Sequence, residues 1–81
     1  MDIAELINEY KNKYNKTYRQ IAVEWSVLAR VPVSYGSICN WALGKYTPSL
    51  LFMRELARNT DGPLRLMALE VLDLLEGKDA Q

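Results

Sequence analysis

The 81 residues carry ten basic and ten acidic side chains, so the formal net charge is zero, and an apolar share of 49% predicts one small folded domain. The chain has one cysteine, Cys39, and no histidine, which excludes an intrachain disulfide and removes the commonest general base and metal ligand; we expect no enzymatic activity, no metal and no cofactor. No apolar run approaches the roughly 18 residues of a membrane span, and the acidic, amphipathic start MDIAELINEY differs from a signal peptide, so we expect a cytoplasmic protein.

Two capped helices are predicted at the beginning of the chain. The first follows apolar residues spaced by three and four, with Asp2 as its cap: Ile3, Leu6, Ile7, Tyr10 and Tyr14. The second begins at Thr17, because Thr17 and Gln20 have the spacing of a capping box. It ends by about Arg30, since Pro32 is not tolerated in the interior of a helix.

A third helix, predicted over residues 34–43, has one apolar and one polar face. Ser34 is a typical N-cap and Gly44 a typical stop, and Ile38 and Trp41 lie on one side. The other side consists of small or medium uncharged residues: Tyr35, Gly36, Ser37, Cys39 and Asn40. This face is either solvated surface or a contact surface, and its glycine admits either an external partner or a neighbouring helix of the fold.

Two further helices complete an all-α prediction. Thr47 and Pro48 are the expected cap and first-turn proline of a fourth helix, which ends near Asn59. The turn residues 61–63 then precede a fifth helix that ends at Gly77. Its inward residues are predicted to be Leu64, Met67, Ala68, Val71, Leu72 and Leu75.

Charge is distributed unevenly along the chain. Residues 1–9 carry a net charge of −3, residues 10–60 carry +6, and residues 61–81 carry −3. A basic centre attracts phosphate groups. Chance clustering of surface charge explains the same numbers equally well, so both interpretations stay open.

Short motifs follow one another in a characteristic order. The first motif is a helix cap at Thr17 followed by an aliphatic residue and an alanine, in residues 17–22. The second is the spacing S-x-x-x-I-x-x-W-x-x-G in residues 34–44, and the third is Pro48-Ser49 followed by Leu56-Ala57. Over about residues 3–75, these motifs resemble the lambda-repressor-like, Xre/Cro-type helix-turn-helix domains, whose helices 2, 3 and 4 open in a similar way.

The resemblance implies a compact all-α domain of five helices, which we assign to residues 1–77. We expect residues 78–81, after the stop at Gly77, to form a flexible tail. The resemblance also implies a small bacterial or phage transcriptional regulator, in the leading interpretation a repressor. Such a protein binds double-stranded operator DNA through helix 34–43 in the major groove, often as a two-fold dimer. Base contacts are implied for Tyr35, Gly36, Ser37 and Asn40. Phosphate contacts are implied for Thr17, Tyr18, Arg19, Lys45 and Tyr46.

The connection between the second and third helices departs from the family pattern. Ala22 and Ser34 are twelve residues apart with no glycine between them, whereas the family has a shorter connection that contains glycine. Either the second helix is about a turn and a half longer, or residues 28–33 enlarge the turn. Arg30, which has no counterpart in the family, either contacts phosphate or is plain surface.

The fifth helix carries leucines outside its expected core stripe, namely Leu66, Leu69 and Leu74. They form either a dimer interface or one side of a wide core stripe. An alternative to DNA binding also stays open: a helical protein–protein interaction module that uses the fifth helix or residues 25–32.

Overall fold

The computed structural model describes residues 1–77, which form five α-helices and no strand. The helices are α1 (Ile3–Lys13), α2 (Tyr18–Ala29), α3 (Tyr35–Ala42), α4 (Leu50–Arg58) and α5 (Gly62–Glu76). The all-α, five-helix prediction is confirmed. The tail predicted for residues 78–81 lies outside the described residues. Within residues 1–77, no helix has both the length and the apolar character needed to cross a membrane.

All five helices contribute to a single core. Its largest fully buried side chains are Trp25, Ile7, Ile21, Ile38, Met53, Leu56 and Val71. Helix α4 packs along α5, α2 contacts α3 and α4, and α1 contacts α3 and α5. Helix α3 is therefore held mainly by α1 and α2, and its Trp41 also packs against Phe52 of α4. The side of α3 that faces away from these helices is left to solvent.

The first two helices begin where their capping residues predict. In α1, the amide of Glu5 donates to Asp2 Oδ1 at 2.8 Å and the amide of Asp2 donates to Glu5 Oε1 at 3.0 Å. In α2, the amide of Gln20 donates to Thr17 Oγ1 at 3.1 Å and the amide of Thr17 donates to Gln20 Oε1 at 2.8 Å. Both capping boxes are complete, so two otherwise unpaired amides are satisfied at each helix start.

The predicted starts of the last two helices are wrong by about two residues. Ser49, not Thr47, caps α4, because its Oγ accepts from the amide of Phe52 at 3.0 Å. Pro48 therefore lies before the cap, where its ring is buried. Helix α5 begins at Gly62 and therefore includes Pro63 in its first turn. Proline is tolerated there because the amides of a first turn have no partner within the helix, so its missing N–H costs no hydrogen bond.

The connection between α2 and α3 combines a long helix with a short ordered segment. Helix α2 continues to Ala29, and Arg30 ends it in the left-handed conformation at φ 60°. The hydroxyl of Ser26 accepts from the amide of Val33 at 2.9 Å and donates to its carbonyl at 3.1 Å. Leu28 and Ala29 therefore belong to α2 and not to an enlarged turn, while residues 30–34 form the connection. Ser26 joins this connection to α2.

Candidate nucleic-acid interface

The inner face of α3 is fixed by burial. Ile38, Trp41 and Ala42 lie in the core, and the Trp41 ring packs against Phe52 at 5.5 Å between centroids. Ser34 caps the helix, its Oγ accepting from the amide of Ser37 at 3.0 Å. An anchored inner face determines which side chains point outward, because a helix cannot rotate without exposing its buried residues.

Asn8 on α1 also holds α3 in place. Its Nδ2 donates to the carbonyl of Ala42 at 2.8 Å and to that of Ala4 at 2.9 Å. Its Oδ1 accepts from the hydroxyl of Tyr18 at 2.6 Å. One half-buried amide thus joins α1 to the end of α3 and the start of α2. Nothing in the sequence identifies this role, since Asn8 appears there only as a polar residue beside the apolar stripe of α1.

Gly36 lies on the outward side of α3 in open surroundings. A Cβ placed on it would meet only Ser34 Oγ, at 3.8 Å, which is an ordinary contact distance. Its backbone is not in the left-handed region that favours glycine. The interpretation that Gly36 admits a neighbouring helix of the fold is therefore wrong, and residues 1–77 contain no packing reason for a glycine here.

Asn40 lies on the same outward side as Gly36, four residues further along the helix. Its carbonyl accepts from the amides of Lys45 and Tyr46, at 2.9 and 3.4 Å. No hydrogen bond within residues 1–77 uses its side-chain carboxamide. The turn that brings Lys45 and Tyr46 back to Asn40 passes through Gly44 at φ 77°, a conformation that glycine adopts at little cost.

Tyr35 lies on the flank of the outward side, toward α2. The Cζ of Arg19 lies 4.3 Å from the Tyr35 ring centroid, in cation–π geometry. Hydrogen bonding with the Cys39 thiol is the main cause that raises the pKa of Tyr35, and the charge of Arg19 opposes that rise. The structure therefore joins one residue of the predicted base-contact set to one of the predicted phosphate-contact set.

The remaining residues predicted to contact phosphate differ in exposure and in whether their side chains already have a partner. Thr17, Lys45 and Tyr46 are exposed. The Tyr18 hydroxyl is bonded to Asn8, and the ammonium of Lys11 lies 5.0 Å from the Tyr18 ring centroid. For Tyr18, the outward group left for a phosphate is thus its backbone amide in the first turn of α2.

Some cations of the basic segment, residues 10–60, form ion pairs and others do not. Lys16, Arg54 and Arg58 bind carboxylates, with the following distances: Lys16–Glu24 2.9 Å, Arg54–Glu76 3.2 Å and Arg58–Glu55 3.2 Å. Arg19 and Lys45, which flank α3, form no ion pair within the described part of the chain. The positive charge that remains uncompensated therefore includes both ends of the α3 surface.

The outward side of α3 extends beyond the predicted residues. Leu43 follows the helix directly and is 68% exposed. It lies three residues after Asn40, which places it on the side of Gly36 and Asn40. Leu43 is not among the predicted contact residues, although its spacing from Gly36 and Asn40 places it on this side of the helix predicted over residues 34–43.

The predicted leucines of α5 lie on two different sides. Leu66 is 63% and Leu69 40% exposed, while Leu74 is half-buried and packs against the core. Leu66 lines a groove between α1 and α5 with Tyr10 and Tyr14. Leu74 instead lines a separate cavity of about 300 Å³ between α1, α5 and the segment after α3. Only Leu66 and Leu69 therefore form one outward surface.

Comparison of the chain with protein-family models, with curated proteins and with solved structures found no match. Among residues 1–77, no group of three or more histidine, cysteine, aspartate and glutamate side chains is placed to hold a metal ion.

Proposed function

We propose that this protein binds double-stranded DNA sequence-specifically as a small transcriptional regulator, acting as a repressor, with α3 in the major groove. The observation that carries the proposal is Gly36. Gly36 is the second residue of α3, and glycine is less favourable than alanine there by at most about 0.5–1 kcal/mol, the value for a helix interior. The space around Gly36 is open, so no contact within residues 1–77 requires glycine at this position. A partner that approaches the α3 backbone explains the glycine, and a major groove about 12 Å wide admits a helix in this way.

Asn40 and Ser37 supply hydrogen-bonding groups on this surface. A carboxamide pairs bidentately with the N6 and N7 atoms of adenine, and that of Asn40 has no partner within residues 1–77. The hydroxyl of Ser37 accepts from that of Ser34 at 3.0 Å, so its own proton remains available to a base. Tyr35 contacts DNA from the flank, together with Arg19.

Phosphate groups on either side of the groove would meet positive charge. Arg19 lies at the start of α2 and Lys45 follows α3, and neither is neutralised by a carboxylate within the described residues. The exposed start of α2 also presents backbone amides to an anion. Such contacts position the helix without selecting a sequence.

Gel-shift titration of random-sequence duplex DNA at about 50 and about 200 mM salt tests the proposal. We expect binding at the lower concentration that weakens steeply at the higher one, because bound phosphates release counterions. Arg19→Ala should weaken binding to all sequences, because it removes one phosphate contact. Arg65→Ala, which removes an exposed cation of α5, is the matched control and should leave binding nearly unchanged. Absence of binding at the lower salt concentration would contradict the proposal.

We further propose that two copies associate across a two-fold axis through Leu66 and Leu69. Both leucines are exposed, and they lie three residues apart on α5, so they form one apolar strip. The adjacent groove is lined by Lys13 together with Glu9 and Glu70, so that opposite charges can meet across a symmetric interface. A dimer would place two copies of α3 on two half-sites.

The second candidate function is a helical protein-binding module that does not bind DNA. The exposed valines Val23 and Val27, four residues apart on the outer side of α2, favour it. Exposed β-branched residues are poor helix formers, so they contribute little to α2 itself. Failure to bind random DNA at low salt would support this candidate.

A further inference from the structure

The fold makes little use of Leu43. It belongs neither to the core nor to the partly buried residues that pack against the core. Its side chain is 68% exposed, and its backbone, at φ −87° and ψ −7°, stays close to helical geometry. The backbone of Leu43 therefore extends α3 by one residue, and its side chain points to solvent instead of packing on the protein.

Leu43 shares its side of α3 with two residues of the proposed DNA contact. Gly36, Asn40 and Leu43 are spaced by four and three residues, which places them along one strip. From Asn40 to Leu43 the helix rises about 4.5 Å, slightly more than the ~3.4 Å between successive bases of a DNA strand. If Asn40 contacts one base pair, Leu43 lies over the next one.

The chemistry of this strip limits what Leu43 can contact. A leucine side chain neither donates nor accepts a hydrogen bond, so it gains affinity only against an apolar group. In the major groove, the base edges offer one such group, the C5 methyl of thymine. The residues of α3 carry no charge, so phosphate is a poor partner for this strip.

We propose that Leu43 is a further specificity-determining residue, which contacts the methyl group of a thymine next to the adenine bound by Asn40. This inference rests on the proposed DNA-binding function. It predicts that the preferred site contains a thymine at which the methyl group itself contributes to affinity.

Thymine can be replaced by deoxyuridine one position at a time, which removes only the methyl group and keeps base pairing. The probe is the duplex that the wild-type protein selects from a random pool. We expect one replacement to weaken wild-type binding about fourfold, the factor for roughly one buried methylene-sized group. Leu43→Ala should bind the thymine duplex about fourfold more weakly and should not respond to that replacement.

Two variants complete the experiment. Leu43→Met keeps an apolar side chain and should retain the response to deoxyuridine. Leu51→Ala is the matched control, since Leu51 is 63% exposed on α4, and it should behave as wild type. Circular dichroism verifies that each variant is folded.

The outcomes distinguish this inference from the proposed function. If Leu43→Ala responds to deoxyuridine as the wild type does, or if no replacement affects the wild type, the role of Leu43 is refuted while DNA binding stands. If the wild type binds no duplex, both proposals fail together.

Discussion

The outward sides of α3 and α5 differ in shape and in charge. On α3, Gly36 and Asn40 form a low, uncharged surface that continues to the exposed Leu43. The cations Arg19 and Lys45 lie at its ends. On α5, Leu66 and Leu69 form an exposed apolar surface beside the groove between α1 and α5. In both helices, the opposite side is buried in the core. Packing of the core therefore does not require the outward sides of α3 and α5 to differ.

One small core thus presents two surfaces whose chemistry suits different kinds of partner. A low, uncharged surface between cations suits a groove between two rows of phosphates. Two carboxylates, Glu9 and Glu70, and one cation, Lys13, line the groove beside Leu66, so its net charge is negative and would repel phosphates. Exposed leucines gain free energy when another protein covers them. The four predictions that follow test whether the two surfaces act separately.

The largest effect is expected from Leu66→Glu, which should abolish self-association and leave the fold intact. A two-fold interface contains each leucine twice, so the loss is about 3–6 kcal/mol per dimer, at roughly 1.5–3 kcal/mol for each buried leucine. Sedimentation equilibrium measures it. Leu51→Ala, which changes an exposed leucine outside α5, is the control. Monomeric wild-type protein at all concentrations would show that the α5 surface has no such role.

Asn40→Ala should weaken binding to the selected DNA site by about 1–3 kcal/mol, the usual value for one bidentate base contact. Binding to random DNA and the free energy of unfolding should change little, because the carboxamide has no partner within residues 1–77. Fluorescence anisotropy on both duplexes measures the difference. Asn12→Ala, at an exposed position of α1, is the control. Unchanged affinity for the selected site would remove Asn40 from the base-contact set.

Lys45→Ala should weaken binding to all DNA sequences alike. Loss of one phosphate contact lowers the slope of log affinity against log salt by about 0.9. Titration at four salt concentrations measures that slope, and Arg65→Ala provides the comparison at a cation outside the α3 surface. Equal slopes for wild type and Lys45→Ala would mean that Lys45 contacts no phosphate.

The smallest effect is expected on stability. Gly36→Ala should raise the free energy of unfolding by about 0.5–1 kcal/mol, because the added methyl group meets only Ser34 Oγ at a normal distance. Urea denaturation measures it. A loss of stability would show that the fold does need glycine at this position.

The features that the sequence predicted correctly depend on neighbours in the chain. Thr17 and Gln20 form their capping box within one turn, and Gly77 ends α5 at φ 74°. The predicted start of α4 was wrong because Thr47 and Ser49, which lie on either side of Pro48, are both favourable N-cap residues. Which of them caps α4 depends on whether Pro48 enters the helix or packs before it, and that depends on the core.

Features of the site that involve distant residues could not be predicted. The bond from Asn8 to Ala42 spans 34 residues, and no local pattern indicates it. Pro32 correctly predicts that α2 ends by about Arg30. The left-handed conformation of Arg30, which usually indicates glycine, has no local signal in the sequence. The contact between Arg19 and Tyr35 likewise depends on how α2 and α3 pack.

In the proposed complex, glycine is needed at position 36 because DNA approaches the α3 backbone there. Gly36→Leu tests it most directly, since leucine is a good helix former and the space around this position is open. The affinity of this variant for the duplex selected by the wild type is the measurement. We expect it to fall at least about tenfold, or roughly 1.4 kcal/mol, while the variant is as stable as the wild type or more so. Undiminished affinity of a folded Gly36→Leu variant would contradict the claim.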